Sequence, residues 1–354
     1  MLSYVPALTG LRGLAVLCVL VFHIQVHWLP GGFLGVDIFF VLSGFLITSL
    51  LSAEYRHHQT IDWRKFYWRR AQRLLPALGL MLGVFMLALT LRDGVAGLYQ
   101  SAKEVAVVLA YASNWTRAFD WHAPYYLGHS WSLSIEEQFY LLWPWCVLGL
   151  MRLSTSKLLP LLLCAAFSSA LWRGFLAYQG APVDRLYNGL DTRLDGLLLG
   201  ALLGIAYSRG LLDRLYAKLP QRLWLYVGSG ALGVLAYGLF ASRLWLDMRL
   251  YFGLLHLYQW AVAALLLAVL APHEHGLKRF FAKPVWLWLG TRSYAAYLWH
   301  FPLYRLLQEA GFNALSVLLV GLPLSLLIAH LSWCWLEAPL LNKAKAARLQ
   351  PVAV

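Results

Sequence analysis

The chain has 354 residues, of which 60% are hydrophobic and 13% are charged, and its mean hydropathy is +0.61. This composition excludes an ordinary water-soluble globule and indicates a protein surrounded largely by lipid. The formal net charge of +13 would suggest a nucleic-acid partner in a soluble protein, whereas in a membrane protein basic residues set topology and attract anionic headgroups. We therefore expect membrane lipids as partners and no nucleic acid.

Apolar runs of about 17 to 25 residues, the length that crosses a bilayer, predict ten helices. The stretch 95–112 is apolar too, but Lys103 and Glu104 in its middle favour a helix that lies at the membrane interface. The predicted fold is an all-α polytopic bundle in one transmembrane domain, 1–340, with a short basic tail, 341–354. The ten predicted spans lie near 11–28, 34–51, 74–92, 131–151, 158–178, 194–208, 223–241, 250–271, 285–307 and 313–336.

Basic residues are shared unequally between alternate loops. One set of loops and termini holds eighteen Lys and Arg residues, and the opposite set holds seven. Because cytoplasmic loops carry the excess, both termini are predicted to be cytoplasmic, as an even number of spans requires.

The four cysteines, Cys18, Cys146, Cys164 and Cys334, fall far apart within apolar stretches. They lack the spacing of a metal site or a disulfide framework, so we expect small buried residues and no metal cofactor.

Ionisable residues within the predicted spans are costly unless they face the interior of the bundle, so each is a candidate functional residue. The first helix carries Arg12 and His23, eleven residues apart. This spacing places both on one helical face, within about 20° of each other and roughly 16 Å apart. A snorkelling arginine and a core histidine bonded to a carbonyl would give the same pattern.

The second helix places Asp37 near its outer mouth and Ser43 deeper. Asp37 could orient or charge the His23 imidazole, as carboxylates do in acid–base sites. It could equally be a favourable anion in the first turn of a helix.

The segment KFYWRRAQRLLP (65–76) is strongly basic. Arg69, Arg70 and Arg73 cluster on one side of a helical entry because they are three and four residues apart. Arginine forks suit phosphate groups, and the same cluster would suit anionic lipids.

The fourth span opens with HSWSLSIEEQFYLLWP (129–144), in which Glu136 and Glu137 are adjacent. Only one of them can point to a given face, so one is expected at a site and the other as a structural acceptor. Further along, Asp191, Arg193 and Asp195 are expected to pair with one another. The ninth span carries His300.

These segments resemble the acyltransferase-3 family of bacterial membrane acyltransferases along nearly the whole chain. The resemblance rests on PALTGLRGLAVLCVLVFH (6–23), GVDIFFVLSGFLI, the RxxR at Arg70 and Arg73, SWSLSIEEQFYLLWP, and the late SYAAYLWHFPL and EAPL elements. Some members add an esterase-like extracytoplasmic domain after the last span. Because this sequence ends at 354, we expect any second step either to need another protein or not to exist.

The resemblance implies an O-acyltransferase of the bacterial cytoplasmic (inner) membrane. Its donor would be cytoplasmic acyl-CoA, by default acetyl-CoA, and its acceptor a glycan or lipid-linked saccharide such as lipopolysaccharide O-antigen. Arg12 and His23 would be the residues most needed for activity, and the RxxR arginines would serve coenzyme A. The alternative is a proton-coupled transporter or flippase of a lipid-linked sugar, since buried carboxylates and histidines also relay protons.

The chemistry expected of an O-acyltransferase assigns further roles. His23 would remove the proton from the acceptor hydroxyl as a general base. Ser43, Tyr140 or the backbone near Gly44 are candidate oxyanion donors. The acceptor sugar would be bordered by Asp37, Glu136 and Glu137, and His300 would be a second histidine near the substrate.

The predicted topology can be tested with single cysteines at Gln179 and Lys345 in a cysteine-free background. The residue at 179 should react with an impermeant thiol reagent in intact cells, and the one at 345 only after lysis, because the basic-residue bias places them on opposite sides. Protection of position 179 until lysis would contradict this topology.

Overall fold

The structure is a computed structural model that describes residues 4–241 and 244–342. Helices and connecting loops make up these residues, which confirms the all-helical class. The predicted tail, 341–354, lies outside the described residues from 343 onward. The helices are α1 (Pro6–Ile24), α2 (Leu34–His58), α3 (Trp63–Leu109), α4 (Ser113–Ala118), α5 (Trp131–Leu150), α6 (Thr155–Tyr178), α7 (Val183–Asn188), α8 (Leu190–Ser208), α9 (Leu211–Lys218), α10 (Gln221–Ala241), α11 (Leu250–Leu270), α12 (Gly276–Phe281), α13 (Pro284–Thr291), α14 (Ser293–Glu309) and α15 (Ala314–Asn342).

Seven of the described helices are long and apolar enough to cross a membrane: α1, α2, α3, α6, α10, α11 and α15. An eighth candidate is the bent pair Val183–Ser208 and Leu211–Lys218, with an angle of 80° between its parts. The fourth predicted span forms α5, and the ninth is divided between α13 and α14 at Arg292. The protein is therefore a multi-pass helical membrane protein, while the count of ten spans and the sidedness of the termini stay predictions.

Most of the apolar stretch 95–112, up to Leu109, forms the second arm of α3. Gly94 has φ +62° and ψ −137°, a conformation open to glycine, and it interrupts the helix. Beyond it Gly97 lies against the Leu89 carbonyl, and Val108 borders the same cavity as Leu78. The second arm thus folds back along the first.

Glycines allow α1 to approach its neighbours at backbone distance. Gly13 faces the Trp286 carbonyl of α13, and Gly290 faces Thr9 in return. On α2, Gly35 packs on the Ala15 carbonyl of α1. Small residues are common where helices cross closely in a membrane. Lipid tails are as apolar as the helix surface, so helices associate there through close packing and not through the hydrophobic effect.

The contact between α2 and α8 is built in the same reciprocal way. Gly44 of α2 lies on the Leu197 carbonyl, and Gly200 of α8 lies on the Val41 carbonyl. These approaches leave no room for a methyl group on either helix. The pair therefore packs in one register.

A buried polar network joins α2, α6, α8 and α11 beside this contact. Arg193 pairs with Asp37 at 3.0 Å, and Arg173 pairs with Asp195 at 2.8 Å, all four side chains being at most 1% exposed. Gln259 donates to both carboxylates. Each buried charge has an opposite charge on another helix, as desolvation demands.

Two sequence-based expectations are wrong here. Asp191, Arg193 and Asp195 do not pair with one another, because residues two apart on a helix point in different directions. Asp191 instead pairs with Arg185. Of the four cysteines only Cys18 is buried, while Cys146, Cys164 and Cys334 are exposed on the outside of their helices.

The α2–α8 contact predicts a sharp difference between two glycine substitutions. Gly200→Ala should destabilise the protein by about 1–3 kcal/mol, because the new methyl group would collide with backbone. Gly79→Ala is the matched control: outside the local helix backbone, no atom of the described residues lies within 4 Å of the added carbon, and alanine is the better helix former. Thermal unfolding in detergent should show a lower midpoint for the first variant only, and equal midpoints would contradict the packing.

Candidate active site

Two adjoining cavities collect most of the polar residues that the sequence singles out. The arginine cavity, about 130 Å³, lies toward the end of the bundle at which α1 and α14 begin. The histidine cavity, about 270 Å³, lies where these helices end. Val36 and Tyr297 border both cavities and so form the boundary between them. The arginine cavity is lined by Arg12, Ser43, Arg70, Arg73, Glu136, Glu137, Tyr140 and Tyr294, and the histidine cavity by His23, Arg117, His129, Trp245, Arg305 and Gln308.

Arg70 is held on two sides in the arginine cavity. It donates to Glu137 at 3.1 Å, and its guanidinium lies 3.5 Å from the centre of the Tyr140 ring. A carboxylate and an aromatic face fix the plane of the fork. Arg70 is therefore a preorganised cation.

Arg12 and Arg73 supply two more cations to the same cavity. Arg12 donates to the Ser293 hydroxyl at 2.9 Å. Arg73 has no hydrogen-bond or ion-pair partner among the described residues, and its side chain is exposed to the cavity. Arg69 is not among the lining residues, so the predicted cluster contributes two of its three arginines.

Both glutamates of the pair line this cavity, so the expectation that only one of them would lie at a site is wrong. Glu137 is the partner of Arg70, and Glu136 accepts a hydrogen bond from Ser43. With three arginines and two glutamates, the described lining carries a net positive charge. Such a cavity suits a ligand that carries a few negative charges.

In the histidine cavity, His23 meets His300 rather than a carboxylate. The His300 Nδ1 lies 3.1 Å from the Ala296 carbonyl oxygen, and the His300 Nε2 lies 3.0 Å from the His23 Nδ1. A carbonyl only accepts, so His300 carries its proton on Nδ1 and accepts at Nε2. His23 must then donate from Nδ1, which leaves the lone pair of its Nε2 without a partner in the described chain.

This arrangement corrects two expectations from the sequence. Asp37 does not orient His23, because its carboxylate is engaged by Arg193 and Gln259 within the buried network. His300 is fully buried and is not among the residues that line either cavity, so it lies behind His23 and does not face a substrate.

Sequence reasoning also missed His129 and Tyr297. His129 stands just before α5, is 2% exposed, and neither ring nitrogen has a hydrogen-bond partner among the residues that the structure describes. Tyr297 donates to the His129 carbonyl at 2.9 Å and is bonded to Ser132 at 2.6 Å, which fixes its ring at the boundary of the cavities. In the sequence, the only indication of these two residues was their position in segments named above: His129 opens HSWSLSIEEQFYLLWP, and Tyr297 lies in SYAAYLWHFPL.

Fold and site together define a multi-pass helical membrane protein with a cation-lined cavity and an imidazole-bearing cavity in contact. A family model described as an acyltransferase domain matches residues 5–334. The chain belongs to this acyltransferase-3 family, and so to a family of enzymes.

Curated relatives are similar to the chain over nearly its full length. The O-acetyltransferase OatA of Staphylococcus aureus is 32% identical over 354 residues, which cover 96% of this chain and 58% of the relative. The peptidoglycan O-acetyltransferase OatA of Listeria monocytogenes is 32% identical over 353 residues, covering 96% and 56%. The chain thus spans little more than half the length of these relatives. No solved structure matches it significantly.

The histidine pair predicts an order of severity among substitutions. His23→Gln should abolish acyl transfer, because an amide cannot take a proton. His300→Leu should lower kcat by about 10²-fold through loss of orientation, with the KM for the donor unchanged. His300→Gln should recover part of this loss, because the amide oxygen can accept from the His23 Nδ1.

Steady-state kinetics of purified variants would measure this order. Equal rates for His300→Leu and the wild type would remove the orienting role. Wild-type turnover in His23→Gln would contradict the general-base role of His23.

Proposed function

We propose that this chain transfers an acetyl group from acetyl-CoA to a sugar hydroxyl of a cell-envelope glycan, in the bacterial cytoplasmic membrane. The observation that carries the proposal is the contact of the two cavities at Val36 and Tyr297. A donor held at the arginines and an acceptor held at His23 would meet at this boundary. The names of the relatives support an acetyl group over a longer chain.

The arginine cavity would bind the anionic end of coenzyme A. Arginine forks bind phosphate oxygens in a bidentate fashion. Arg73, which has no hydrogen-bond or ion-pair partner in the described chain, is open to a phosphate, while Arg70 is held ready by Glu137. Arg12 points into the same cavity and so joins the donor side. The pantetheine arm would then carry the thioester toward Tyr297.

His23 would act at the other side of the boundary. Its Nε2 takes the proton of the acceptor hydroxyl as the oxygen attacks the thioester carbonyl carbon. The tetrahedral intermediate collapses with cleavage of the carbon–sulfur bond, and the proton passes from His23 to the departing thiolate. The products are the O-acetyl sugar and free coenzyme A. General-base help of this kind contributes about 10²- to 10⁴-fold in rate.

The surroundings of His23 favour neutral imidazoles. No carboxylate contacts His23 among the described residues, and the hydrogen bond to His300 requires an unprotonated Nε2 on that ring. When His23 becomes an imidazolium, the same hydrogen bond becomes charge-assisted and stronger. His300 therefore orients His23 before transfer and stabilises its charge during transfer.

The oxyanion donors expected from the sequence fit less well. Ser43 donates to Glu136, and Tyr140 lies beneath Arg70, both in the arginine cavity. His129 lines the histidine cavity and has an unpartnered nitrogen that can donate in one of its neutral tautomers. His129 is thus the better candidate for the oxyanion.

Peptidoglycan is the favoured acceptor. The Listeria relative is named as a peptidoglycan O-acetyltransferase, whereas lipopolysaccharide O-antigen rests on the family resemblance alone. The decisive measurement is release of free coenzyme A by the purified chain in detergent, with peptidoglycan fragments and with O-antigen as separate acceptors. Acceptor-dependent release supports the enzyme. In closed membrane vesicles, sugar uptake that needs a proton gradient, without release of coenzyme A, would instead support the transporter.

Donor binding predicts a specific effect of Arg73→Ala. The KM for acetyl-CoA should rise by about tenfold or more, with a smaller effect on the acceptor, because one charge-assisted phosphate contact is lost. Arg73→Lys should restore only part of the affinity.

Arg64→Ala serves as the control, since Arg64 is exposed on the same helix and lines neither cavity. Arg70→Ala is less suitable, because it also leaves Glu137 without its partner. An unchanged donor KM in Arg73→Ala would remove this residue from the donor site.

A further inference from the structure

We infer that the histidine cavity recognises an oxyanion on the acceptor, a carboxylate or a phosphate near the hydroxyl that is acylated. Arg117 and Arg305 line this cavity together with His23 and His129. The inference deepens the proposed function, on which it rests, by adding a charge to the acceptor. Nothing in general-base transfer requires that charge.

Two guanidinium groups face this cavity without a close counter-charge. The Arg305 guanidinium lies 4.9 Å from the centre of the Tyr125 ring and 5.1 Å from that of Phe301. Arg305 has no hydrogen bond or ion pair in the described chain. Arg117 approaches Asp184 only to 4.0 Å, and the Asp184 side chain is 58% exposed. An ion pair of this length at an exposed carboxylate contributes little.

The two cavities differ in whether acidic residues accompany their arginines. There, Glu136 and Glu137 accompany three arginines. Within the described part of the chain, no aspartate or glutamate lines the histidine cavity. A cation pair beside a reaction site, partly removed from water, attracts an anion strongly because the local dielectric is low.

Two of the residues that line this cavity, Arg117 and His129, also carry buried polar atoms without a partner in the described chain. The Nε of Arg117 and both nitrogens of His129 are buried and lack hydrogen-bond partners. Buried donors of this kind are costly unless a ligand or water satisfies them. An oxyanion among Arg117, Arg305 and His129 would accept from all three.

Two sources share this chemistry: the carboxylate of an acidic sugar, and the diphosphate of a lipid-linked saccharide. Two matched pairs of acceptors separate them. The first pair is a carboxylate-bearing oligosaccharide and its carboxyl-reduced form. The second is a disaccharide on polyprenyl diphosphate and the same disaccharide on a neutral alkyl chain.

The test measures equilibrium binding of each acceptor to the full chain in detergent, and acceptor KM by coenzyme A release. In the wild type, one charged acceptor should bind at least about tenfold more tightly than its neutral partner. Arg117→Gln and Arg305→Gln should each remove most of this preference and leave the KM for acetyl-CoA unchanged. Lysine at either position should retain part of the preference, because the charge is kept.

Arg249→Gln is the control, since Arg249 is exposed, paired with Asp247 and absent from the lining of this cavity. Thermal unfolding of each variant separates loss of binding from loss of fold. Equal affinities within both acceptor pairs in the wild type would overturn the inference. So would equal losses for charged and neutral acceptors in a glutamine variant that unfolds at the wild-type temperature.

Binding and turnover also keep the two proposals apart. A charge-dependent affinity without coenzyme A release would leave the oxyanion site standing and contradict the transferase. Release that is equal for charged and neutral acceptors, with equal affinities, would leave the transferase standing and contradict the oxyanion site.

Discussion

The close approach of backbones around α1 is the constraint on which the rest of the structure depends. Gly13 and Gly35 bring α13 and α2 against this helix without intervening side chains. Lipid supplies no hydrophobic drive for such contacts, so their geometry must come from shape. Because α1 is held in this way, Arg12 meets Ser293 and His23 meets His300 on α14. These two contacts between α1 and α14 hold Arg12 in the arginine cavity and His23 in the histidine cavity.

Charge burial shapes the protein on the other side of the bundle. Arg193 lies 5.0 Å from the centre of the Tyr187 ring as well as against Asp37, and Tyr187 borders the histidine cavity. Buried pairs of this kind add little net stability, but breaking one leaves a costly lone charge. The network therefore fixes the register of α2 and α8, and through Tyr187 it supports one wall of the histidine cavity.

Much of the site could be predicted from local pattern, because helical periodicity sets which residues share a face. The spacing of Arg70 and Arg73 predicted a cluster, and both line the arginine cavity. The spacing of Arg12 and His23 predicted a single face, along which Arg12 lines the arginine cavity and His23 the histidine cavity. The partners could not be predicted. His23 and His300 are 277 residues apart, and Asp37 and Arg193 are 156 apart, so only the packing of helices decides which polar groups meet. The reversal at Gly94 could not be predicted for another reason. An apolar sequence has the same pattern whether the helix continues straight or folds back on itself.

The boundary at Val36 and Tyr297 has a consequence for the membrane as a whole. On the predicted topology, the arginine cavity lies toward the cytoplasmic face and the histidine cavity toward the opposite face, and they share Val36 and Tyr297. The electrical insulation of the bilayer would then depend on a septum to which these two side chains belong, and much of the transmembrane voltage would fall across it. An acyl group would have to cross this septum while protons and ions do not. The hydrogen bonds that hold the Tyr297 ring would then contribute to electrical sealing as well as to the proposed chemistry.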